Sequence, residues 1–184
     1  MPMKTIHTPD IFTIDHFLTN QECDDYIFFS ETKGYEEATV SLTKGAKMMK
    51  GIRNNDRVIY EDEKLAQKFW ERLKPHVQHL EFENIEPIGL NPRFRFYRYE
   101  NNQRFNKHRD GRVKISEEIE SRVTFMIYLN DDFEGGETEF ETLKITATKG
   151  MALCFVHELK HKGCSVTKGA KYVLRTDVLY QKTK

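Results

Sequence analysis

Three residues carry most of the chemistry this sequence could perform: His108 and Asp110, flanking Arg109, and His161 far downstream in His161-Lys162-Gly163-Cys164-Ser165-Val166. Side chains on an extended strand alternate faces, so His108 and Asp110 would point the same way and hold one metal ion from neighbouring positions. A second histidine arriving from another strand completes a two-histidine, one-carboxylate face on an octahedral ion and leaves three positions open. That donor set suits non-haem Fe(II). It suits structural zinc poorly, because such zinc closes four positions and usually recruits cysteine.

A His-x-Asp triplet is a weak signal alone, and its surroundings give it weight. Arg93-Phe94-Arg95-Phe96-Tyr97-Arg98-Tyr99 upstream and Val123-Thr124-Phe125-Met126-Ile127-Tyr128-Leu129-Asn130 downstream both read as strands. Lys171-Tyr172-Val173-Leu174-Arg175-Thr176-Asp177-Val178 alternates too, placing Lys171, Val173 and Arg175 on one face. A cation directed into a pocket beside a metal needs an anion to offset its desolvation.

Along the chain stand, in order, Tyr99, Phe105, His108-x-Asp110, Tyr128-Leu129-Asn130, Gly135-Gly136-Glu137-Thr138 and His161-x-Gly163-x-x-Val166-x-x-Gly169-x-Lys171-Tyr172. The series resembles the prolyl 4-hydroxylase-like branch of the 2-oxoglutarate and Fe(II)-dependent oxygenases, over roughly residues 90 to 180 and more loosely before them. The specificity lies in the order of the elements, not in any one of them. The resemblance implies Fe(II) held by His108, Asp110 and His161, 2-oxoglutarate as co-substrate and ascorbate as reductant. It implies decarboxylation of 2-oxoglutarate to succinate with delivery of a hydroxyl to the substrate, and no catalytic side chain beyond the metal centre. His157 is the decoy, since only His161 has Gly163, Val166, Gly169 and Lys171 at the family spacing. Lys171 is expected to pair with the distal carboxylate of 2-oxoglutarate. Arg175 is its rival on the same face, or else the partner of a rim carboxylate, such as one in the glycine-rich turn. Tyr128 and Tyr99 are expected beside the co-substrate, with core positions as the alternative, and Thr124 shares the face of Tyr128. Relatives carry an Arg-Asn-rich segment near the pocket mouth, which makes Arg53, Asn55 and Arg57 candidate substrate contacts; local turn chemistry is the competing account.

The expected substrate is a prolyl residue in a protein or peptide, with a free amino acid or other small metabolite as runner-up. A binding module that keeps the fold without turnover, and a cupin-like protein indifferent to 2-oxoglutarate, are the rival classes. With 29 basic and 29 acidic residues in 184, the overall field steers toward neither nucleic acid nor an anionic membrane. No nucleic-acid or membrane partner is expected. Cys23, Cys154 and Cys164 are odd in number and scattered, which reads as reduced thiols. The opening Met1 to Asp10 lacks an apolar leader core, so a cytoplasmic location is the expectation.

The elements that must position these residues read as a mainly β chain with flanking α: a double-stranded β-helix, or jelly roll, supported by N-terminal helices. The length suits a single domain over 1–184, with helical support to about 90 and the jelly roll over about 91–182. Ile11 to Ile14 reads as a strand. Thr19 with Glu22 forms a capping box for a helix running to about Thr32 and ended by Gly34. Thr43 to Lys47 reads as a flexible loop. Leu65, Ala66, Phe69, Trp70 and Leu73 have helical spacing, which predicts a helix from Asp62 stopped near Pro75 with Trp70 in the core. His7, His16, His76 and His79 are expected at the surface, and Asp110 to Ser121 as a charged loop. Gly135 and Gly136 should reverse the chain into Glu137 to Phe140, and Met151 to Phe155 should form a buried strand.

Overall fold

A computed structural model describes residues 2–37, 40–42, 45–47, 54–80 and 82–183. The chain opens with β1 (Met3–Thr8), β2 (Ile11–Asp15) and α1 (Asn20–Lys33). Short strands β3 (Glu36–Glu37), β4 (Val40–Leu42) and β5 (Gly45–Lys47) precede β6 (Asp56–Glu61) and α2 (Glu63–Val77). Then come β7 (Ile85–Leu90), β8 (Arg93–Glu100), β9 (Phe105–His108) and β10 (Ile119–Tyr128). The small strands β11 (Glu134–Gly135), β12 (Thr138–Phe140) and β13 (Lys144–Ile145) lead to β14 (Ala152–Val156). Last are β15 (His161–Gly163), β16 (Val166–Lys168) and the long β17 (Ala170–Lys182).

Two antiparallel sheets make the jelly roll. The larger runs β1-β2-β14-β10-β17-β8-β6-β3, with β7 also on β17; the smaller runs β13-β12-β15-β9. Strand alternation divides the larger sheet into two chemically different faces. Phe94, Phe96, Val123, Phe125, Ile127, Cys154 and Leu174 turn outward and pack with Phe69, Trp70 and Leu73 of α2. Tyr97, Tyr99, Tyr128, Leu153, Phe155 and Val173 turn inward, toward Phe140 and Ile145 of the smaller sheet. The residues expected to do chemistry lie on that inner side.

The segment expected as helical support also supplies strands, because β1, β2, β3, β6 and β7 all extend the larger sheet. Helix α1 begins as anticipated: Thr19 accepts from the Glu22 N–H and Glu22 accepts from the Thr19 N–H, both at 3.1 Å. Glu22 also receives Arg72 of α2 at 2.8 Å, tying the helices together. Thr19→Ala should therefore cost about 1 kcal/mol, read as a lowered Tm, with metal binding unchanged. Gly34 ends the helix at φ +81°.

Four local expectations need correction. Helix α2 passes through Pro75 to Val77, since Val77 and Leu80 are buried and draw the last turn onto the core. Gly45–Lys47 is a strand paired with Val40–Leu42, not loop; Thr43 and Lys44 lie outside the described residues. The 110–121 loop ends early, because β10 starts at Ile119 opposite Gln181 of β17. His76 and His79 are half-buried: Lys4 of β1 donates to the His76 carbonyl and meets His79 Nδ1, both at 2.7 Å, and His79 packs edge-on against Phe12. His7 and His16 are exposed, and the three cysteines are free. Among the described residues no helix is long and apolar enough to cross a membrane.

Candidate active site

His108 ends β9, His161 begins β15, and the two are direct cross-strand partners in the smaller sheet. Directly opposed residues share a face, and the imidazole centroids lie 4.3 Å apart. Asp110 is not on the strand, as alternation had suggested; it lies just past the end of β9, where its N–H donates to the His157 carbonyl at 3.2 Å. From there its carboxylate reaches 3.4 Å from His108 Nε2 and 3.8 Å from His161 Nε2. One ligand atom from each of the three residues falls within 4.8 Å of the others.

The hydrogen bonds around the imidazoles decide what this cluster can hold. His108 Nδ1 lies 2.8 Å from the Asn106 carbonyl, and His161 Nδ1 lies 3.0 Å from that of Leu159. A carbonyl only accepts, so each Nδ1 carries the proton and each Nε2 presents a lone pair toward Asp110. His108 Nε2 is buried with no hydrogen-bond partner. Burial pushes His161 down to about 4, which keeps it neutral at physiological pH. Two lone pairs aimed at one carboxylate fit a divalent cation. Phe105 stacks on His108 at 3.5 Å and Phe155 meets His161 edge-on at 4.6 Å, which shields both rings from water.

Asp110 is fixed from the larger sheet. Burial raises its carboxyl, but Arg175 and the two histidines outweigh burial and hold it well below the usual carboxylate range. Arg175 Nη2 lies 3.0 Å from Asp110 Oδ2 and 3.4 Å from Asp177 Oδ1, so its carboxylate partners are these two and not those of the glycine-rich turn. In that turn Glu134 pairs with Lys168 instead.

Thr124 donates to Asp110 Oδ2 at 2.5 Å. A hydroxyl has one proton, so the contact from His157 Nδ1 to Thr124 at 3.0 Å must be donated by the imidazole. Ser121 then donates to His157 Nε2 at 2.9 Å while accepting the Val113 N–H at 2.8 Å. His157, the decoy by spacing, is thus part of a one-directional chain that ends on the carboxylate. Replacing it with alanine would strip partners from two buried hydroxyls, at about 1–3 kcal/mol of stability. Metal affinity should fall about tenfold or more through the loosened Asp110, measurable by titration with Mn(II) or Co(II).

A partly open cavity runs from the two histidines to Lys171, walled by Tyr97, Tyr99, Met126 and Val173. Lys171 stands opposite Tyr99 across β17 and β8 and is 3% exposed. Its Nζ donates to the Gly136 carbonyl at 2.5 Å and lies 5.6 Å and 5.1 Å from the ring centres of Tyr99 and Tyr128. A Cβ at position 136 would come within 2.9 Å of Phe133 and 3.2 Å of the Lys171 chain, at a φ of +70°, so this approach requires glycine. No described carboxylate pairs with this ammonium. Of the two rival cations, Arg175 is committed to carboxylates and Lys171 is not.

The remaining expected residues are placed as follows. Thr124 and Tyr99 line the cavity. Tyr128 does not; it is fully buried, its phenol 2.7 Å from the Thr138 hydroxyl, and Thr138 takes the wall position. Arg53 lies outside the described residues. Asn55 is buried and donates to the Asp56 carbonyl, and Arg57 lines a separate cleft with Lys33 and Glu36, so neither borders the cavity. Tyr97 and Thr138 were not singled out in advance. Tyr97 shares the strand face of Tyr99, so alternation could have found it, whereas Thr138 needed the pairing of β12 with β15.

Residues 94–176 match the 2OG-Fe(II) oxygenase superfamily. A protein of Acanthamoeba polyphaga mimivirus, whose name marks it as a candidate prolyl 4-hydroxylase, is 24% identical across 88% of this chain and 71% of its own length. The fold is shared with a viral collagen prolyl hydroxylase from Paramecium Bursaria Chlorella virus-1 solved with 2-oxoglutarate, at TM-score 0.64 and 23% identity, covering 93% of this chain and 96% of that one. It is shared too with a Pseudomonas putida prolyl-4-hydroxylase, at 0.68 and 13%, covering 95% and 93%. A Trichoplax adhaerens prolyl hydroxylase in complex with a hypoxia inducible factor peptide fragment gives 0.69 and 16%, covering 93% and 84%.

Proposed function

We propose that this chain, whose residues 94–176 match the 2OG-Fe(II) oxygenase superfamily, works as an oxygenase of that kind and hydroxylates a prolyl residue in a protein or peptide, using Fe(II), 2-oxoglutarate and ascorbate as reductant. The observation that carries the reading is a cavity lined by His108 and His161, whose ligand atoms converge with the Asp110 carboxylate, and by the buried, carboxylate-free ammonium of Lys171. One mole each of 2-oxoglutarate, dioxygen and substrate C–H gives succinate, carbon dioxide and substrate C–OH. Bound iron would supply the oxidising chemistry; the protein supplies position and a dry site. His108, Asp110 and His161 would hold the ion. Arg175 and Thr124 keep the carboxylate ionised and fix its orientation. Lys171 pairs with the distal carboxylate of the co-substrate as a point charge, and the Thr138 hydroxyl, oriented by Tyr128, stands in the wall nearby. Peptide substrates are favoured by the likeness to named prolyl hydroxylases, one of them solved with a peptide. Three free thiols accord with a reducing cytoplasmic setting.

The test supplies purified protein with Fe(II), 2-oxoglutarate, ascorbate and proline-containing peptides, and follows both succinate and an added oxygen atom by mass spectrometry. Succinate above the level of the Asp110→Ala protein, with oxygen on proline, is expected. Succinate without peptide oxidation would redirect the reading to a small metabolite, and no succinate would leave a binding module.

The lysine also sets a pH dependence. Burial lowers Lys171 to about 8 from its ordinary 10.5. Since the ammonium is the form that pairs with a dicarboxylate, 2-oxoglutarate affinity should fall as pH rises through about 8, and isothermal titration across pH 7 to 9 reads this directly. The unfolded chain keeps that proton up to 10.5, so this residue's contribution to unliganded stability rises between those values.

A further inference from the structure

We propose that the surface beside His108 docks an acidic segment of the substrate polypeptide, a specificity element that deepens the hydroxylase reading and rests on it. A second, shallower cavity opens next to the first, lined by Lys107, Arg109 and Lys160 together with His108, the residue common to both. Anything seated there lies against the imidazole that borders the co-substrate cavity. All three cations are exposed. Arg109 donates its Nε to the neutral carbonyl of Glu158 at 2.8 Å, and no described carboxylate lies within 4 Å of Lys107, Arg109 or Lys160. Arg104, just before β9, donates to the Asn106 side chain and likewise has no carboxylate within 4 Å among the described residues.

The neighbouring carboxylates are engaged elsewhere. Glu158 binds Arg112 and Arg122, Glu120 binds the same two arginines, and Glu139 binds Lys144 and Lys162. In a chain with equal numbers of acidic and basic residues, four unneutralised cations on and beside one short strand form a local positive field. Such a field selects partners and speeds encounter more than it adds raw affinity. Nucleic acid fits less well. Phe105, the aromatic ring of this strand, is stacked on His108 and lines the first cavity rather than this one, and the positive patch is too short to track a phosphate backbone.

The experiment uses the full chain loaded anaerobically with Fe(II) and 2-oxoglutarate, and labelled proline-containing peptides that differ only in flanks of Asp and Glu, Ser, or Lys. Fluorescence anisotropy should show the acidic peptide binding about tenfold or more tighter than the lysine one, with the gap closing as salt rises. The double variant Lys107→Glu with Lys160→Glu should erase or invert the preference. A control, Lys64→Glu with Lys74→Glu on the exposed side of α2, should keep it. Melting curves of both variants confirm folding. Equal affinity for all flanks, no binding of any peptide, an equal effect of the control, or tighter binding of a single-stranded oligonucleotide would each overturn the proposal. Peptide-free succinate release, followed on the same wild-type sample in air, tests the hydroxylase reading separately.

Discussion

Asp110→Ala should lose Fe(II)-dependent succinate formation by more than about a hundredfold, since loss of outer partners alone costs ten- to a hundredfold at metal sites. It should also weaken the fold, which sets it apart from a histidine replacement. The carboxylate is buried against Arg175 at 3.0 Å and accepts from Thr124 at 2.5 Å. Removing it leaves the guanidinium with Asp177 as its remaining carboxylate and the Thr124 hydroxyl, both at 3.4 Å. Stranding a buried charge costs about 3–5 kcal/mol, and the remaining contact to Asp177 places this case toward the lower end. His161→Ala removes a neutral ring and should abolish turnover with a smaller change in Tm. Wild-type turnover in Asp110→Ala would refute the ligand assignment; unchanged stability would refute the role of Arg175 as its partner.

The second large effect is at Lys171, where affinity and stability should move in opposite directions. Its ammonium is buried with one carbonyl and two aromatic faces for company. Truncating one member of a buried charge pair costs about 2–5 kcal/mol of binding, so Lys171→Met should raise the 2-oxoglutarate Kd at least about thirtyfold. Without co-substrate the same change removes an unpaired buried charge and replaces it with a volume-matched apolar chain. The unliganded protein should then melt at the same temperature or higher. A lysine serving only to pin the glycine-rich turn through the Gly136 carbonyl would give the reverse: a lower Tm and an unaltered Kd.

How much of this was legible in the sequence depended on the range of the interaction involved. Alternation along β10 and β17 was readable because it is local, and it put Thr124 on the face of Tyr128, and Lys171 with Val173 and Arg175, without any knowledge of the partner strands. The Thr19 capping box was readable for the same reason. Pairing distant in sequence was not. The register that sets His161 opposite His108 spans 53 residues, and the contact that pairs Arg175 with a carboxylate joins it to Asp110, 65 residues earlier. His157 looked like a spare histidine because Thr124 and Ser121, its partners, lie on another strand. Tyr128 kept its place beside Lys171 but yielded the cavity wall to Thr138, since a fully buried phenol needs a hydroxyl partner and finds it there.

The most direct measurement is an anaerobic titration of the apo-protein with Fe(II) and 2-oxoglutarate, singly and together, by equilibrium dialysis. Joint binding of one ion and one dicarboxylate per chain is the expected result, with the ion lost in Asp110→Ala and the dicarboxylate alone weakened in Lys171→Met. Stoichiometric iron retained without Asp110, or 2-oxoglutarate binding indifferent to both substitutions, would contradict the account.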